Sequence, residues 1–573
     1  MAAVDPSTAL DRSGLPAPAG ARRPKLRVGL FVDAARQPRW IVDAFARLAQ
    51  SDFAEIIVIA ADGSAAPPAS WIWRAYARLD QWVFRSRTGA FECEPIVERV
   101  PHKRYMQVRQ CDVRWVGEVA AMQLDVAFAF GQFDDYALKG IARFGSWRFF
   151  FGDDRQPLDH WAGFREASRG SPVVSSGVKV RFGPRASERL AYQSWSRTYP
   201  LSVARNRENL LRKTAEFAGR TLKELHRGGS AWLESCPLAP RQAYAPTPPE
   251  PVEMVQGLSR LSAKIVLRAT QKLTHIEQWF LGYRFDAGER WEGELSGFTR
   301  LLPPPDRFWA DPFAYARDGK HYIFFEELLF ERGKAHIAVM EVGRDGRHSQ
   351  PRCVLKRDYH LSYPFLIEDK GELYMVPETG ENRTVEIYRC TRFPWEWRLE
   401  KVLISDAWCV DPTIHRQDGK WWMFVNIGVE GAEIHDELHL FYADELLGEW
   451  IAHPGNPVKS DVRGARPAGR LFRRGGALYR PAQICAPLYG SGLAVHKVLE
   501  LSTQCYREEE VERVLPGAES ELLGVHTFNR DGSLSVMDGF MRRSRLQTRR
   551  AGGARSVLSG MFRQEPATSA SGN

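Results

Sequence analysis

Acidic side chains recur at matched places in the second half of the sequence. Asp311 opens Asp311-Pro312-Phe313, Asp411 opens Asp411-Pro412-Thr413, and Tyr363 holds the same place in Tyr363-Pro364-Phe365. Seven and eight residues after each lie Asp318-Gly319, Asp418-Gly419 and Lys370-Gly371, and fifteen after lie Glu326, Asn426 and Glu378. Two weaker copies, around Ala468 (Gly475-Gly476, then Gln483) and Gly524 (Asp531-Gly532, then Gly539), bring the number to five. Carboxylates crowded into one pocket push their pKa values apart, leaving one ionised and one protonated near neutrality. Cleavage of a glycosidic bond needs that division: an acid for the leaving oxygen and a carboxylate to activate water or attack the sugar. Asp311, Glu378 and Asp411 are therefore the candidate catalytic residues.

Such residues meet only if the repeats meet. Each repeat of about 50 residues holds several short strands, and one such sheet cannot bury both faces, whereas copies packed radially bury each other. Five copies predict a five-bladed β-propeller over residues 290–541. The first strand of each blade lies nearest the axis, so the two columns converge on one central cavity. Glu326, Asn426 and Gln483 then line it beside the three acids. Trp309, Tyr363, Trp408 and Trp421 offer flat apolar faces for sugar rings or pack in the core. His526 points at the cavity or closes the last blade, and Arg466 and Arg480 bind an anionic sugar or phosphate group or neutralise the acids.

The motifs Trp309-Ala310-Asp311-Pro312-Phe313, Val376-Pro377-Glu378, Val410-Asp411-Pro412-Thr413, His453-Pro454-Gly455-Asn456-Pro457 and Arg480-Pro481-Ala482-Gln483 resemble the five-bladed propellers of glycoside hydrolase families 43, 32 and 68. They resemble most the amino-terminal domain of plant glucosamine inositolphosphorylceramide transferases. The resemblance implies Asp311 as base or nucleophile, Asp411 as the transition-state-stabilising Asp and Glu378 as general acid. Tyr363 stands where the second blade of the hydrolases often contributes an Asp.

The first half reads differently. Leu26–Val32, a helix-period segment from Arg39 to Leu48 and a second apolar run from Glu55 to Ala61 give the β-α-β pattern of a parallel sheet. Asp125 to Gly131 and Ser146 to Phe151 add strands, Tyr136 to Arg143 a helix, and Ser202 to His226 a long helix. No Gly-x-Gly-x-x-Gly follows the first strand, so a dinucleotide is not expected. Ligands of such sheets bind beyond the carboxyl ends of the strands, which directs attention to Asp153 and Asp154. This order of elements over residues 25–232 resembles the Rossmann-like formyltransferase fold. Where that family carries its Asn, His and Asp, this chain has Trp147, Phe149 and Ala186, none of which handles protons or holds an oxyanion.

The 573 residues exceed one core, and six prolines between Pro237 and Pro251 mark a linker over residues 233–251. Apolar residues at helical spacing predict a connecting helix over 252–289. Residues 1–24 are expected to be disordered, without the apolar core of a signal peptide. Eight scattered cysteines suit buried thiols in a reducing compartment, and the expected location is cytoplasmic. Much of the +9 net charge falls in a basic, disordered tail over 542–573, with seven arginines and one glutamate. That tail is simply solvated or is attracted to an anionic membrane surface or to nucleic acid. No membrane span and no specific nucleic-acid partner are expected.

The sequence thus predicts an α/β domain followed by a propeller that binds a saccharide and acts on a glycosidic bond without a cofactor. Two alternatives stand beside it. One is formyl or acyl transfer to an amino sugar by the first domain, with 10-formyltetrahydrofolate as cofactor near Asp153. The other is a non-catalytic glycan-binding scaffold.

Overall fold

The structure is a computed structural model. It describes residues 23–61, 71–84, 89–90, 92–109, 114–131, 133, 138–152, 162–182, 187–239, 250–285, 295–517 and 521–545. Backbone contacts divide the chain into two compact units, Met1–Lys264 with Val429–Ala432 and Ile265–Gly428 with Glu433–Asn573.

The first unit is built on a seven-stranded sheet. Arg104–Val108, Ala54–Ala61, Leu26–Val32, Val126–Ala129 and Ser146–Phe151 run parallel in that order, and Val173–Phe182 and Ser187–Arg197 continue it antiparallel. The central strands Ala54–Ala61, Leu26–Val32 and Val126–Ala129 read as nearly continuous apolar runs because both faces are covered. Phe45 and Leu48 of helix Arg39–Ala49 join Leu222 and Leu225 of helix Phe217–Ser235 in the core on one face. Phe31 and Ile57 meet Trp115 and Val119 of helix Arg114–Ala120 on the other. Trp147 and Phe149 are buried in the first of these cores.

Three details correct the sequence reading. The long helix after Ser202 is two, Val203–Thr214 and Phe217–Ser235, and the Ser202 hydroxyl caps the first by accepting from the Arg205 N–H (3.1 Å). The helix predicted for 136–143 is absent from its described part, where Leu138–Gly140 form a turn and Ala142 bridges Leu124. The first unit also reaches past the proline-rich segment. Met254 and Leu261 join Trp73, Phe164, Ala167 and Val203 in one core, and Gly257 lies so close to Phe164 that a Cβ would stand 2.9 Å from its ring. Asp153 and Asp154 lie outside the described residues.

The connecting helix is Pro251–Thr274, and 275–285 is a strand instead of its continuation. Ile276 and Phe280 fit either period. The strand prevails because all eleven of its residues find partners in Leu534–Ser544. Pairing holds Arg542 and Arg543 in that strand, with Arg542 on Glu277 (3.1 Å) and Arg543 on Gln278 (2.8 Å). The basic tail therefore starts later than predicted, and residues from 546 on lie outside the described part.

Among the described residues, five sheets form the second unit. The first has strands Arg307–Arg317, Lys320–Leu329, Ala335–Val342 and Arg352–Leu355; the second Ser362–Asp369, Glu372–Thr379, Thr384–Arg392 and Glu396–Ile404. The third is built on Cys409–Gln417, Lys420–Ile427 and Glu437–Ala443, and the fourth on Phe472–Arg474, Ala477–Ile484, Gly492–Leu501 and Tyr506–Val514. The fifth takes Phe528–Asp531 and Leu534–Ser544 from the end of the unit and His275–Phe285 and Thr299–Leu301 from its start. The two ends of the unit are thus zipped into one sheet, and the ring is a five-bladed propeller. Apolar clusters such as Phe313, Tyr363, Phe365, Val425 and Trp421 fill the spaces between blades.

Candidate active site

Backbone geometry aims the opening residue of the first three repeats. Asp311, Tyr363 and Asp411 have φ of 50°, 47° and 52°, left-handed values that cost a non-glycine residue about 1–3 kcal/mol. At each, the pairing skips, between Ala310 and Phe313, Ser362 and Phe365, and Val410 and Thr413. Such a bulge bends the strand and redirects a side chain, and the proline that follows sits where no ladder N–H is needed. The turns Asp318-Gly319, Lys370-Gly371 and Asp418-Gly419 have positive φ at both residues, the two-residue hairpin type that fixes register.

Two charged clusters lie in the axis. In one, Arg466 donates through Nε to Asp411 Oδ2 and through Nη2 to Asp411 Oδ1 (3.4 Å), and through Nη1 to His435 Nδ1 (3.0 Å). The Gln483 amide also donates to Asp411 Oδ2 (2.6 Å). In the other, His526 stands between Asp311 (3.2 Å) and Asp538 (2.8 Å). Asp311 Oδ1 accepts from the Thr527 hydroxyl (2.6 Å), and Asp538 accepts from the backbone N–H groups of Asp311, His526 and Thr527. Burial alone would lower the His526 pKa, but Asp538 and Asp311 push it up to about 10. Burial would raise Asp311, yet the His526 charge and hydrogen bonds hold it below the usual carboxylate range. Asp311, His526 and Asp538 are also a group that could hold a metal ion, with ligand atoms within 4.8 Å of one another.

The opening of the site is lined by different residues. Asp311 and Asp411 are 2% and 0% exposed, whereas the Glu378 side chain keeps 13% and His360 keeps 29% of their surface. His360 Nε2 pairs with Glu326 (3.2 Å), and burial, only partly offset by His360, raises the Glu326 pKa. Glu378 lies 3.5 Å from Arg466. Burial and the Asp411 charge, against the opposing pull of Arg466, push its pKa up to about 8. Trp279 and Tyr489, both half-buried, flank His526 at ring-centroid distances of 4.1 and 5.1 Å, and Tyr489 also carries the Arg466 guanidinium at 4.8 Å.

The fold thus gathers Asp311, Glu326, Glu378, Asp411, Arg466, Gln483 and His526, and places three other candidates elsewhere. Trp309 lies in the core between blades with its indole N–H on Glu327 (3.0 Å). Tyr363 is fully buried; its hydroxyl bonds Thr413 Oγ1 (2.8 Å) and accepts from Gly469 N–H (2.6 Å), tying three blades together. Arg480, also fully buried, is paired with Glu508 (2.8 and 2.7 Å) and capped by the Gly464 carbonyl. Tyr363 is expected at the axis from its repeat position, Trp309 from its flat aromatic face and Arg480 from its charge, and none of these signals tells whether a partner already takes the polar group. Trp421 is likewise a core residue.

Asp538, His360, His435, Tyr489 and Trp279 were missed. The last hairpin turns at Gly532-Ser533, with Asp531 opposite Leu534, one residue later than in the other repeats. One step exchanges the two faces of a strand, so Asp538 faces the axis and Gly539 packs against Phe280.

Asn426 is fully buried, and neither its amide oxygen nor its nitrogen has a hydrogen-bond partner among the described residues. An unsatisfied buried amide costs about 1–3 kcal/mol, a cost removed by a ligand or by an apolar replacement. Asn426→Leu is therefore expected to raise the melting temperature of the propeller and to weaken saccharide binding. Thermal melts with and without ligand test both effects.

Residues 302–535 match the family model described as "Glucosamine inositolphosphorylceramide transferase 1, N-terminal". The chain is 37% identical over 211 residues to glucosamine inositolphosphorylceramide transferase 1 of Oryza sativa subsp. japonica, and 36% identical over 214 residues to the protein of that name from Arabidopsis thaliana. Each alignment covers 36% of this chain and 28% of the relative, so the chain spans little more than a quarter of the length of these relatives. Among solved structures, it is similar to Zg3597, a family 117 glycoside hydrolase of Zobellia galactanivorans (13% identity, 47% of this chain and 91% of that one, TM-score 0.31). It is also similar to a GH43_1 enzyme from Xanthomonas citri (12% identity, 42% and 87%, TM-score 0.31).

Proposed function

We propose that the propeller is a carbohydrate-active module that binds a saccharide at its axial opening and acts on a glycosidic bond. Glu378 is the general acid, Asp311 the base or nucleophile, and Asp411 a positioning residue that fixes Arg466. The observation that carries the reading is Glu378: a carboxyl held protonated near neutrality, at the reachable edge of a site whose other acids are charge-paired. This is the property a leaving-group acid requires. The partly exposed rings of Trp279 and Tyr489 supply apolar faces of the kind sugars stack on. The names of the relatives support a saccharide-containing substrate, and whether the bond is hydrolysed or transferred follows from the acceptor admitted. The burial of Asp311 and Asp411 favours a second reading, a glycan-binding module without turnover.

A glycan and nucleotide-sugar panel read by thermal shift tests binding, and chromogenic glycosides matching the hits test turnover. Stabilisation by no saccharide would refute both readings.

The pKa directions fix the pH profile. Glu378 works while protonated, so activity is expected to persist through neutrality and fall as pH rises through about 8. Asp311 works while ionised, and its depressed pKa puts the acid limb below the usual carboxylate range. Stability follows the same sign for Glu378. Its raised folded-state pKa contributes stability that is full below the ordinary glutamate pKa and is lost as pH rises through about 8. Initial rates and melting curves from pH 4 to 10 check both. A rate still climbing above pH 9 would rule Glu378 out as the acid.

A further inference from the structure

The first blade carries a basic hollow at the same end as the axial acids. Its strands alternate in direction, and Glu326 lies opposite Ala310 near that end. The connection after Leu329 emerges there, because Leu328 pairs with Ala335 as the third strand begins. The outer strand returns to it, because Leu355 pairs with Ile337. Residues 330–334 and 356–361 therefore meet on the face that presents Asp311 and Glu326.

Where they meet they enclose about 180 Å³, lined by Arg332, Lys334, His336, Lys356, Arg357 and Asp358. Lys334 donates to the Asp358 carbonyl (2.6 Å) and pairs with Glu381 (2.9 Å). Arg357 is steadied by the Tyr388 hydroxyl (3.2 Å) and the Lys356 carbonyl (3.0 Å). His336 rests on Glu327 (3.1 Å); burial lowers its pKa, but Cys353 and Glu327 push it up to about 9, so it too carries charge. The Arg332 guanidinium and the Lys356 ammonium have no partner among the described residues.

The hollow is one residue from the axial site. Glu381, which holds Lys334, also accepts from the His360 N–H (2.6 Å). His360 Nδ1 accepts from the Ala335 N–H (3.3 Å), and its Nε2 reaches Glu326. Glu381 and His360 thus link the hollow to the axial site.

We propose that this hollow is an anion subsite that binds the phosphate group of a phosphorylated saccharide whose sugar occupies the axial opening. The inference rests on the saccharide reading above for what fills the axis, while the hollow itself stands on its own residues. Arg332 and Arg357 present planar forks that suit phosphate oxygens, and Lys334 and Lys356 add point charges. The phosphate can belong to a soluble sugar phosphate or to the headgroup of a glycolipid, and both offer the same chemistry.

The test uses the full chain and a double variant, Arg332→Glu with Lys356→Glu, two exposed positions whose replacement leaves the core intact; equal melting temperatures confirm this. Glucose, glucose 1-phosphate and inorganic phosphate are titrated by calorimetry at low and high salt. Vesicles of phosphatidylcholine with and without phosphatidylinositol are cosedimented with each protein. The natural chain is expected to bind at least one phosphate-bearing probe about tenfold or more tighter than glucose. That preference should weaken with salt and vanish in the double variant. A preference confined to glucose 1-phosphate identifies a soluble substrate, and one confined to phosphatidylinositol vesicles identifies a lipid headgroup. Equal binding of phosphate probes by both proteins, or no preference for phosphate in the natural chain, overturns the subsite even if neutral sugars bind at the axis. Inorganic phosphate lost in the variant, with no sugar bound by either protein, would uphold the subsite and count against the axial reading.

Discussion

Glu378→Gln is expected to lower turnover of a cleavable glycoside by about 10²–10⁴-fold, the usual contribution of a positioned general acid, while leaving its KM within a few-fold. The amide keeps the size of the carboxyl and a hydrogen-bond donor, so contacts to the bound sugar persist. What it lacks is a proton to give to the departing oxygen. The strongest loss should fall on substrates with poor leaving groups, since an activated aryl glycoside departs without protonation. The alkaline limb near pH 8 should disappear in the residual activity, because the group responsible for it is gone. Initial rates on a paired set of aryl and alkyl glycosides measure all three effects. A variant with natural rates and raised KM would make Glu378 a binding residue, and one with natural rates and KM would remove it from the site.

Arg466→Met should destabilise the propeller by about 3–5 kcal/mol, the cost of stripping one partner from a buried ion pair. Arg466 is the cation shared by Asp411 and Glu378, and it also holds His435. Methionine matches its length but removes the guanidinium that answers the fully buried Asp411 carboxyl, leaving it the Gln483 amide and the neighbouring Glu378 carboxyl. The second substitution Asp411→Asn removes the stranded charge and is expected to recover much of the loss. A double-mutant cycle by calorimetry reads this coupling directly. Additive losses would mean that Asp411 and Arg466 are not the partners the geometry makes them.

The propeller was legible in the sequence for a physical reason. The bulge, the two-residue turn and the inward polar residue recur at fixed offsets, so spacing alone carried Glu326, Glu378 and Gln483 to the axis. Legibility ended where a neighbour decides the outcome. Tyr363, in the same column as Asp311 and Asp411, is claimed by Thr413 and Gly469. Arg480, three residues before Gln483, is claimed by Glu508. Asp538 was hidden by a one-residue change of turn, and Trp279 by lying in a segment whose apolar spacing also suits a helix. Trp279 enters the site only because a strand from the start of the unit pairs with one from its end.

That pairing also sets the order in which the molecule can come into being. Glu277 and Arg542, in contact across it, are 265 residues apart in the chain. During synthesis the edge presented by His275–Phe285 must therefore wait, unpaired, while the rest of the unit leaves the ribosome. Neither Asp311 nor His526 has its complete set of neighbours until Asp538 emerges. An exposed strand edge invites pairing with other chains, and contacts this distant in sequence form slowly. A nascent chain stalled before residue 534 should consequently be an aggregation-prone open ring without saccharide affinity, and chaperones should be needed most in that interval.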